Sequence, residues 1–143
     1  MIHDNGDFSI EASRESAVPG YLVLRVQGGE TSLAELTPAK AQALGLLLAR
    51  AARAVERAAG AERVYVLSFC EVERRLHFHL FPRTPWLLAA FRRASGAAEA
   101  AVNGPALFEW ARKRFTREAD LPAGVEGPDK VFAAVRTFLG GSA

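Results

Sequence analysis

Alternating hydrophobic and polar positions near the N-terminus predict two β-strands. Within residues 8–12, hydrophobic residues occupy every second position, which is the period of a half-buried strand. A polar connection over residues 13–19 leads to a second strand at 21–26, and the glycine pair 28–29 ends it. The chain is therefore expected to begin with two neighbouring strands.

The longest amphipathic pattern predicts a helix from Pro38 to about Ala59. Thr37 is suited to the N-cap, Pro38 to the first helical position and Gly60 to the C-terminal stop. Hydrophobic residues three or four positions apart form the predicted core stripe: Ala41, Leu44, Leu48, Ala51, Val55 and Ala58. The opposite side carries three arginines: Arg50, Arg53 and Arg57.

A β-hairpin is predicted after this helix. Residues 63–70 have the composition of a well-buried strand, and residues 76–81 have that of another. The charged stretch 71–75 between them is short enough for a direct antiparallel connection.

Helix signals recur in the C-terminal half. Thr84, followed by proline, caps one predicted helix, Pro105 begins another, and a last helix runs from about Asp129 to Gly140. The small residues of 95–104 predict a flexible stretch between the first two. Strands, a long helix, a strand pair and further helices predict an α+β fold, an antiparallel sheet with helices packed on it.

Composition supports one globular domain over residues 1–143, with a core at about 8–93 and a helical extension at about 94–143. The chain of 15.4 kDa is 50% hydrophobic, which suffices for one core. No apolar run could span a bilayer, and the N-terminus lacks signal-peptide features, so we expect a cytoplasmic protein. The single cysteine, Cys70, excludes an intramolecular disulfide; after a buried strand it is expected to be packed and unreactive.

The charge distribution favours a small anionic ligand over a polymer. The net charge is +2, and residues 61–118 hold ten basic and six acidic side chains. This local excess is smaller than the dense basic stripe of a typical nucleic-acid-binding protein. We therefore expect no specific nucleic-acid partner and no membrane partner.

Candidate chemistry is concentrated just before Pro82. On a strand, side chains alternate, so Arg75, His77, His79 and Phe81 would share one face, about 6–7 Å apart. Imidazole is a base and a nucleophile near neutral pH, and guanidinium binds phosphate oxygens. These side chains have the chemistry that phosphoryl or nucleotidyl transfer requires.

Two other interpretations of this row stay open. Both histidines could simply occupy a partly exposed sheet face. Alternatively, His77 and His79 could bind a metal ion, although Arg75 beside them would repel it. The residues that could complete a metal site are Glu71, Glu73, Cys70 and His3. His3 itself lies in a terminus expected to be mobile, and we assign it no role.

Residues 77–83, HFHLFPR, resemble the end of the histidine-triad motif, His-x-His-x-His followed by two apolar residues and often Pro-Arg. Residues 18–24 are similar to the Pro-Gly-His strand of the histidine-triad nucleotide hydrolases and transferases, and residues 33–38 match the Leu-Thr-Pro that begins their long helix. The resemblance extends over about residues 8–83. It is closest to the branch that includes the dinucleoside polyphosphate hydrolases.

The resemblance implies roles for individual residues. His77 would attack the α-phosphorus of a nucleotide and form a covalent nucleotidyl-histidine, without a cofactor, and His79 would contact phosphate. Arg75 replaces the first histidine; its main-chain carbonyl would orient the nucleophile, and its side chain would add a phosphate contact. Ser13 stands where the family binds ribose. Such proteins are often homodimers.

The chain departs from the family pattern in the residues that surround a substrate. Tyr21 replaces the histidine after Pro-Gly, and residues 71–74, EVER, replace a glycine-rich loop near the phosphates. These changes leave an alternative open, namely a catalytically silent relative that only binds nucleotides or partner proteins.

Overall fold

A computed structural model describes residues 1–96 and 101–141. Five strands form one antiparallel sheet in the spatial order β1-β2-β3-β5-β4. The strands are β1, His3–Asp4; β2, Phe8–Ala12; β3, Leu22–Val26; β4, Arg63–Leu67; and β5, His77–Arg83. The predicted hairpin is formed by β4 and β5, and β5 also pairs with β3.

Four α-helices and two single 3₁₀ turns complete the described part of the chain. The helices are α1, Pro38–Ala59; α2, Pro85–Ser95; α3, Gly104–Arg114; and α4, Pro128–Gly140. The Thr37 hydroxyl accepts a hydrogen bond from the Lys40 amide, and Gly60 ends α1 with a φ of 67°. The predicted α+β fold is confirmed: a long helix packs on the antiparallel sheet, and further helices follow it.

Two hydrophobic clusters lie on opposite sides of the sheet. The first joins β2, β3 and β5 to α1 and α4, and Leu24, Leu80 and Val135 are fully buried in it. The second joins Tyr21 and Phe81 to α2 and α3. Because α3 covers this second side only in part, a cavity is left above β5.

The hairpin strand β4 differs from its prediction. It ends at Leu67 rather than residue 70, and its side chains are exposed or half-buried. The physical reason is its position, since β4 is an edge strand that pairs only with β5. Hydrophobic composition alone does not distinguish an edge strand from a central one.

The buried stripe of α1 is also partly shifted. Ala41 is exposed, whereas Leu47 and Ala54 are buried. The helix contacts both the sheet and α4, so its buried surface is wider than one stripe.

The N-terminus is ordered, contrary to expectation. His3 belongs to β1 and is the register partner of Ile10. A two-residue strand is too short to show a hydrophobic period. Residues 97–100 of the predicted flexible stretch lie outside the described residues.

None of the helices in residues 1–96 and 101–141 combines the length and hydrophobicity that crossing a bilayer requires.

Candidate functional site

The site is organised by the alternation of side chains along β5. Phe78 and Leu80 point into the cluster beneath α1, whereas His77 and His79 face the cavity on the other side of the sheet. In the register, His79 lies between Val23 of β3 and Leu67 of β4. Two imidazoles therefore share one face of a central strand.

His77 has a defined tautomer. Its Nδ1 lies 2.8 Å from the main-chain carbonyl oxygen of Arg75. Because a carbonyl can only accept a hydrogen bond, Nδ1 must carry the proton and donate it. In the neutral ring this leaves a lone pair on Nε2, which is the form that a nucleophile needs.

His79 is held by a buried phenol. The Tyr21 hydroxyl is hydrogen bonded to Nδ1 of His79 at 2.8 Å, and Tyr21 is fully buried. Burial is the main cause that lowers the pKa of His79 to about 4, and the neighbouring His77 imidazole and Arg112 guanidinium lower it further. Burial also raises the pKa of Tyr21 to about 12. At neutral pH both groups are therefore uncharged.

The two imidazoles line one cavity of about 450 Å³, and their ring centroids are 5.2 Å apart. The cavity extends from the end of β2, where Ser13 lies, across β3 to the loop that precedes β5. Its charged lining residues are Glu11, Arg14, Glu15, Arg25, Glu71, Glu73 and Arg112. A compound of the size of a nucleotide has room to contact both histidines.

The cations of this cavity are held by carboxylates. Arg25 is 2.6 Å from Glu11 and 3.4 Å from Glu73, and Arg112 pairs with Glu15. Arg112 lines the cavity, although nothing in the sequence singles it out. No local signal could identify it, because α3 reaches the cavity only when it packs against Tyr21 and Phe81.

Arg75 does not share the face of the histidines. The strand begins at His77, and the Arg75 side chain is 70% exposed and 3.7 Å from Glu73. It is absent from the cavity lining, while its carbonyl holds His77. The prediction that four side chains share one face is therefore wrong for Arg75, because β5 begins only at His77.

Cys70 packs against the cluster beneath α1, as predicted, but it does not belong to a strand. It lies in the loop after β4 with a φ of +55°, lines the cavity, and its Sγ is 3.6 Å from Nδ1 of His77. The reason is the length of β4. Because the strand ends at residue 67, Cys70 belongs to the following loop and can turn toward the site.

Metal binding has no geometric support in the described ranges. Among residues 1–96 and 101–141, no three His, Cys, Asp or Glu side chains come together as a metal site requires. His3 lies on β1, at the opposite edge of the sheet from β4.

No protein-family model and no curated protein matches this chain. Solved structures do match it. A histidine triad protein from Bradyrhizobium japonicum superposes with a TM-score of 0.62 at 14% identity, over 96% of this chain and 88% of that one. A hypothetical histidine triad nucleotide-binding protein from Sulfolobus tokodaii gives a TM-score of 0.61 at 11% identity, over 97% and 82%.

A third similar structure is a Hit-like protein involved in cell-cycle regulation from Bartonella henselae, solved with an unknown ligand. Its TM-score is 0.54 at 18% identity, and the match covers 93% of this chain and 84% of that one. At these identities the likeness is one of fold. The chain has a histidine-triad-like fold, including the helices that follow β5.

Proposed function

We propose that this protein is a nucleotide hydrolase or nucleotidyl transferase that works through a covalent nucleotidyl-histidine at His77. One observation carries the proposal: the hydrogen bond from Nδ1 to the Arg75 carbonyl leaves Nε2 of a neutral ring available beside a nucleotide-sized cavity. The histidine-triad-like fold supports it, as does the resemblance to the dinucleoside polyphosphate hydrolase branch.

The chemistry balances without a cofactor. The Nε2 lone pair attacks the α-phosphorus, a P–N bond forms, and the bond to the leaving group breaks with its electron pair. The leaving group takes up a proton from a water molecule as its bond to phosphorus breaks. A water molecule then attacks phosphorus and breaks the P–N bond, and the nucleoside monophosphate leaves. In a transferase, an acceptor hydroxyl attacks instead and the nucleotidyl group becomes bonded to the acceptor.

His79 is assigned the phosphate contact. When the Tyr21 hydroxyl donates to Nδ1, the neutral ring of His79 carries its own proton on Nε2. That N–H can donate to a phosphate oxygen. The contact needs no protonated imidazole, which agrees with a pKa of about 4.

The remaining contacts follow from the cavity lining. Arg112 and Arg25 can exchange a carboxylate partner for a phosphate oxygen, whereas Arg75 acts through its carbonyl. Ser13 lies at the end of β2 and can offer its hydroxyl to ribose.

We also propose a cytoplasmic homodimer. Val66 of the edge strand β4 is 49% exposed and Leu46 of α1 is 70% exposed. An edge strand with apolar side chains and one unpaired side is a template for pairing with a second copy.

A catalytically silent nucleotide-binding protein is the alternative function. The specific observation that favours it is the acidic lining, since Glu71 and Glu73 line the same cavity as the two histidines. Such a protein would show a thermal shift with AMP and no product.

The test is release of AMP from adenosine phosphoramidate and from diadenosine polyphosphates. The wild-type chain should release AMP, and His77→Ala should abolish it because the substitution removes the attacking nitrogen. His3→Ala is the matched control, since that histidine lies at the far edge of the sheet. Unchanged release by His77→Ala would remove His77 from the mechanism.

A further inference from the structure

Three arginines of α1 line a cavity on the side of the sheet opposite the histidines. Arg50, Arg53 and Arg57 are three and four positions apart, so they share one side of the helix. Together with Ala54 and with Phe138 of α4, they line a cavity of about 60 Å³, here called the arginine cavity. Because α1 and α4 pack on the other side of the sheet from the histidine cavity, the two sites are separate.

Helix α4 positions two of these guanidinium groups. Arg50 donates a hydrogen bond from Nη2 to the main-chain carbonyl oxygen of Leu139, 2.8 Å away. The Cζ of Arg57 lies 5.0 Å from the centroid of the Phe138 ring. Stacking of this kind uses the flat face of a guanidinium, so the N–H groups at its edge can still donate hydrogen bonds. An anion would therefore meet an Arg57 side chain that is already ordered, which lowers the entropic cost of binding.

The positive charge of the arginine cavity is not balanced by carboxylates. None of the residues that line it is acidic. Within residues 1–96 and 101–141, no ion pair joins Arg53 or Arg57 to a carboxylate, and this includes Glu56 between them on α1. The arginines of the histidine cavity differ, since carboxylates pair with them. Like charges that line one small cavity repel each other, and a bound anion would remove that repulsion.

The size of the cavity and the geometry of its donors indicate which anion fits. A volume of about 60 Å³ holds a few water molecules, whereas pockets for drug-sized ligands usually measure about 300 Å³ or more. Residues four positions apart on a helix have Cβ atoms about 5–6 Å apart, so Arg53 and Arg57 can reach the same small group. The fork of N–H donors on guanidinium matches the oxygens of phosphate.

We propose that the arginine cavity is a binding site for a phosphate group, with Arg53 and Arg57 contacting its oxygens and Arg50 adding positive charge. A free phosphate ion and the phosphate of a small monoester share this chemistry, and the rest of a monoester would extend out of the cavity. The site does not depend on the proposed function, because it lies on the opposite side of the sheet from His77.

Calorimetric titration of the full chain with inorganic phosphate, at constant ionic strength, tests the site. Arg53 is exposed, so Arg53→Gln should leave the fold unchanged. It should weaken phosphate binding about tenfold, because a charge-assisted hydrogen bond is lost. Unchanged affinity in this variant would overturn the proposal.

Arg136→Gln is the matched control. Arg136 is an exposed arginine of α4 that does not line the cavity, and its replacement removes the same charge. This variant should keep the phosphate affinity within about twofold of the wild type, since only a distant charge is lost. Equal weakening by Arg53→Gln and Arg136→Gln would overturn the proposal, because it would show attraction to the overall charge rather than to a site. The histidine cavity is the same in all three chains, so phosphate bound there does not affect the comparison.

The source of the phosphate is distinguished by titration with glycerol 3-phosphate. Tighter binding of this monoester than of inorganic phosphate would assign the site to a phosphorylated small molecule, and tighter binding of inorganic phosphate would assign it to the free ion. Failure of both compounds to bind, with binding of a glutamate-rich peptide, would overturn the proposal in favour of an acidic protein partner.

Activity separates this proposal from the proposed function. Arg53→Gln should release AMP from adenosine phosphoramidate at the rate of the wild type, because the sheet lies between Arg53 and the histidines. Conversely, a chain that releases no AMP would refute the proposed enzyme and leave the phosphate titration as a test of the arginine cavity. Loss of phosphate binding and of AMP release together in Arg53→Gln would contradict the separation of the two sites.

Discussion

His77 and His79 are oriented by different kinds of partner. A main-chain carbonyl holds Nδ1 of His77, and a buried hydroxyl from another strand holds Nδ1 of His79. Every residue type supplies a main-chain carbonyl, so we expect the position of Arg75 to tolerate a change of side chain. The Tyr21 hydroxyl depends on one side chain. The hydrogen bond that orients His79 therefore requires a particular side chain, whereas the one that orients His77 does not.

Arg75→Ala should leave catalysis almost intact. The carbonyl that orients His77 is retained, and the lost side chain is largely exposed. We expect kcat/KM for AMP release within about threefold of the wild type and a stability change within about 0.5 kcal/mol. A loss beyond tenfold would mean that the Arg75 guanidinium contacts phosphate after all.

The buried His79 should make stability depend on pH. Above pH 6.5, the ordinary pKa, the ring is neutral in both folded and unfolded chains, so its contribution to stability is fully present. As the pH falls toward 4, unfolded chains bind a proton that the folded protein excludes, and the free energy of unfolding decreases. One proton gives a slope of at most about 1.4 kcal/mol per pH unit, and partial exposure of the ring reduces it.

Urea unfolding of the wild type and His79→Gln between pH 4 and 7 measures this slope. Other titrating groups are common to both chains, so the difference isolates His79. The variant should have the shallower decline below pH 6.5, the ordinary pKa of the ring. Parallel curves would show that the imidazole is not held neutral by the fold.

For single residues, the alternation of side chains along a strand allows the sequence to predict which residues share a face of the sheet. His77 and His79 share a face because they are two positions apart on one strand. Cys70 and Arg112 escape such reasoning, since a turn with positive φ and a helix from later in the chain bring them to the cavity. Local sequence patterns do not show which distant segments will pack beside the cavity.

Among the elements, β5 and the turn before β3 do most to position the site. Gly20 has a φ of +90°, and a Cβ there would lie 3.1 Å from that of Ala59. Only glycine adopts this conformation readily, so it can bring the start of β3 close to α1 and aim Tyr21 at the opposite side. Such a requirement is visible in sequence as a Pro-Gly pair, although its reason is not.

Val66→Lys should convert the proposed homodimer into a monomer. A lysine on the edge strand β4 opposes strand pairing between copies by charge and desolvation. Light scattering after size exclusion should give the dimer mass for the wild type and the monomer mass for the variant. Glu56→Lys on exposed α1 surface is a control for added charge. A monomeric wild type would contradict the proposal.

On the scale of the whole molecule, both cores depend on the C-terminal helices. Val135 and Leu139 of α4 belong to the cluster beneath the sheet, and Leu107 and Phe108 of α3 belong to the cluster beside the site. The sequence predicted these helices from their caps and periods. It could not predict which cluster each completes, since that depends on packing between distant segments.

Because of this dependence, we propose that residues 1–143 fold as one unit. A chain truncated after Gly96 loses α3 and α4 and should fail to fold cooperatively, since each lost core leucine typically contributes about 2–5 kcal/mol. Circular dichroism during thermal unfolding measures this. A sharp, cooperative transition in the truncated chain would show that the core of residues 8–93 is sufficient.

The central claim is a covalent bond between phosphorus and Nε2 of His77. Rapid quenching during turnover of an AMP phosphoramidate, followed by peptide mapping in the mass spectrometer, locates the nucleotidyl group directly. The account predicts one AMP moiety on His77, formed before AMP accumulates and absent in His77→Ala. AMP on the neighbouring Cys70 thiol, or steady AMP release with no modified peptide, would contradict it.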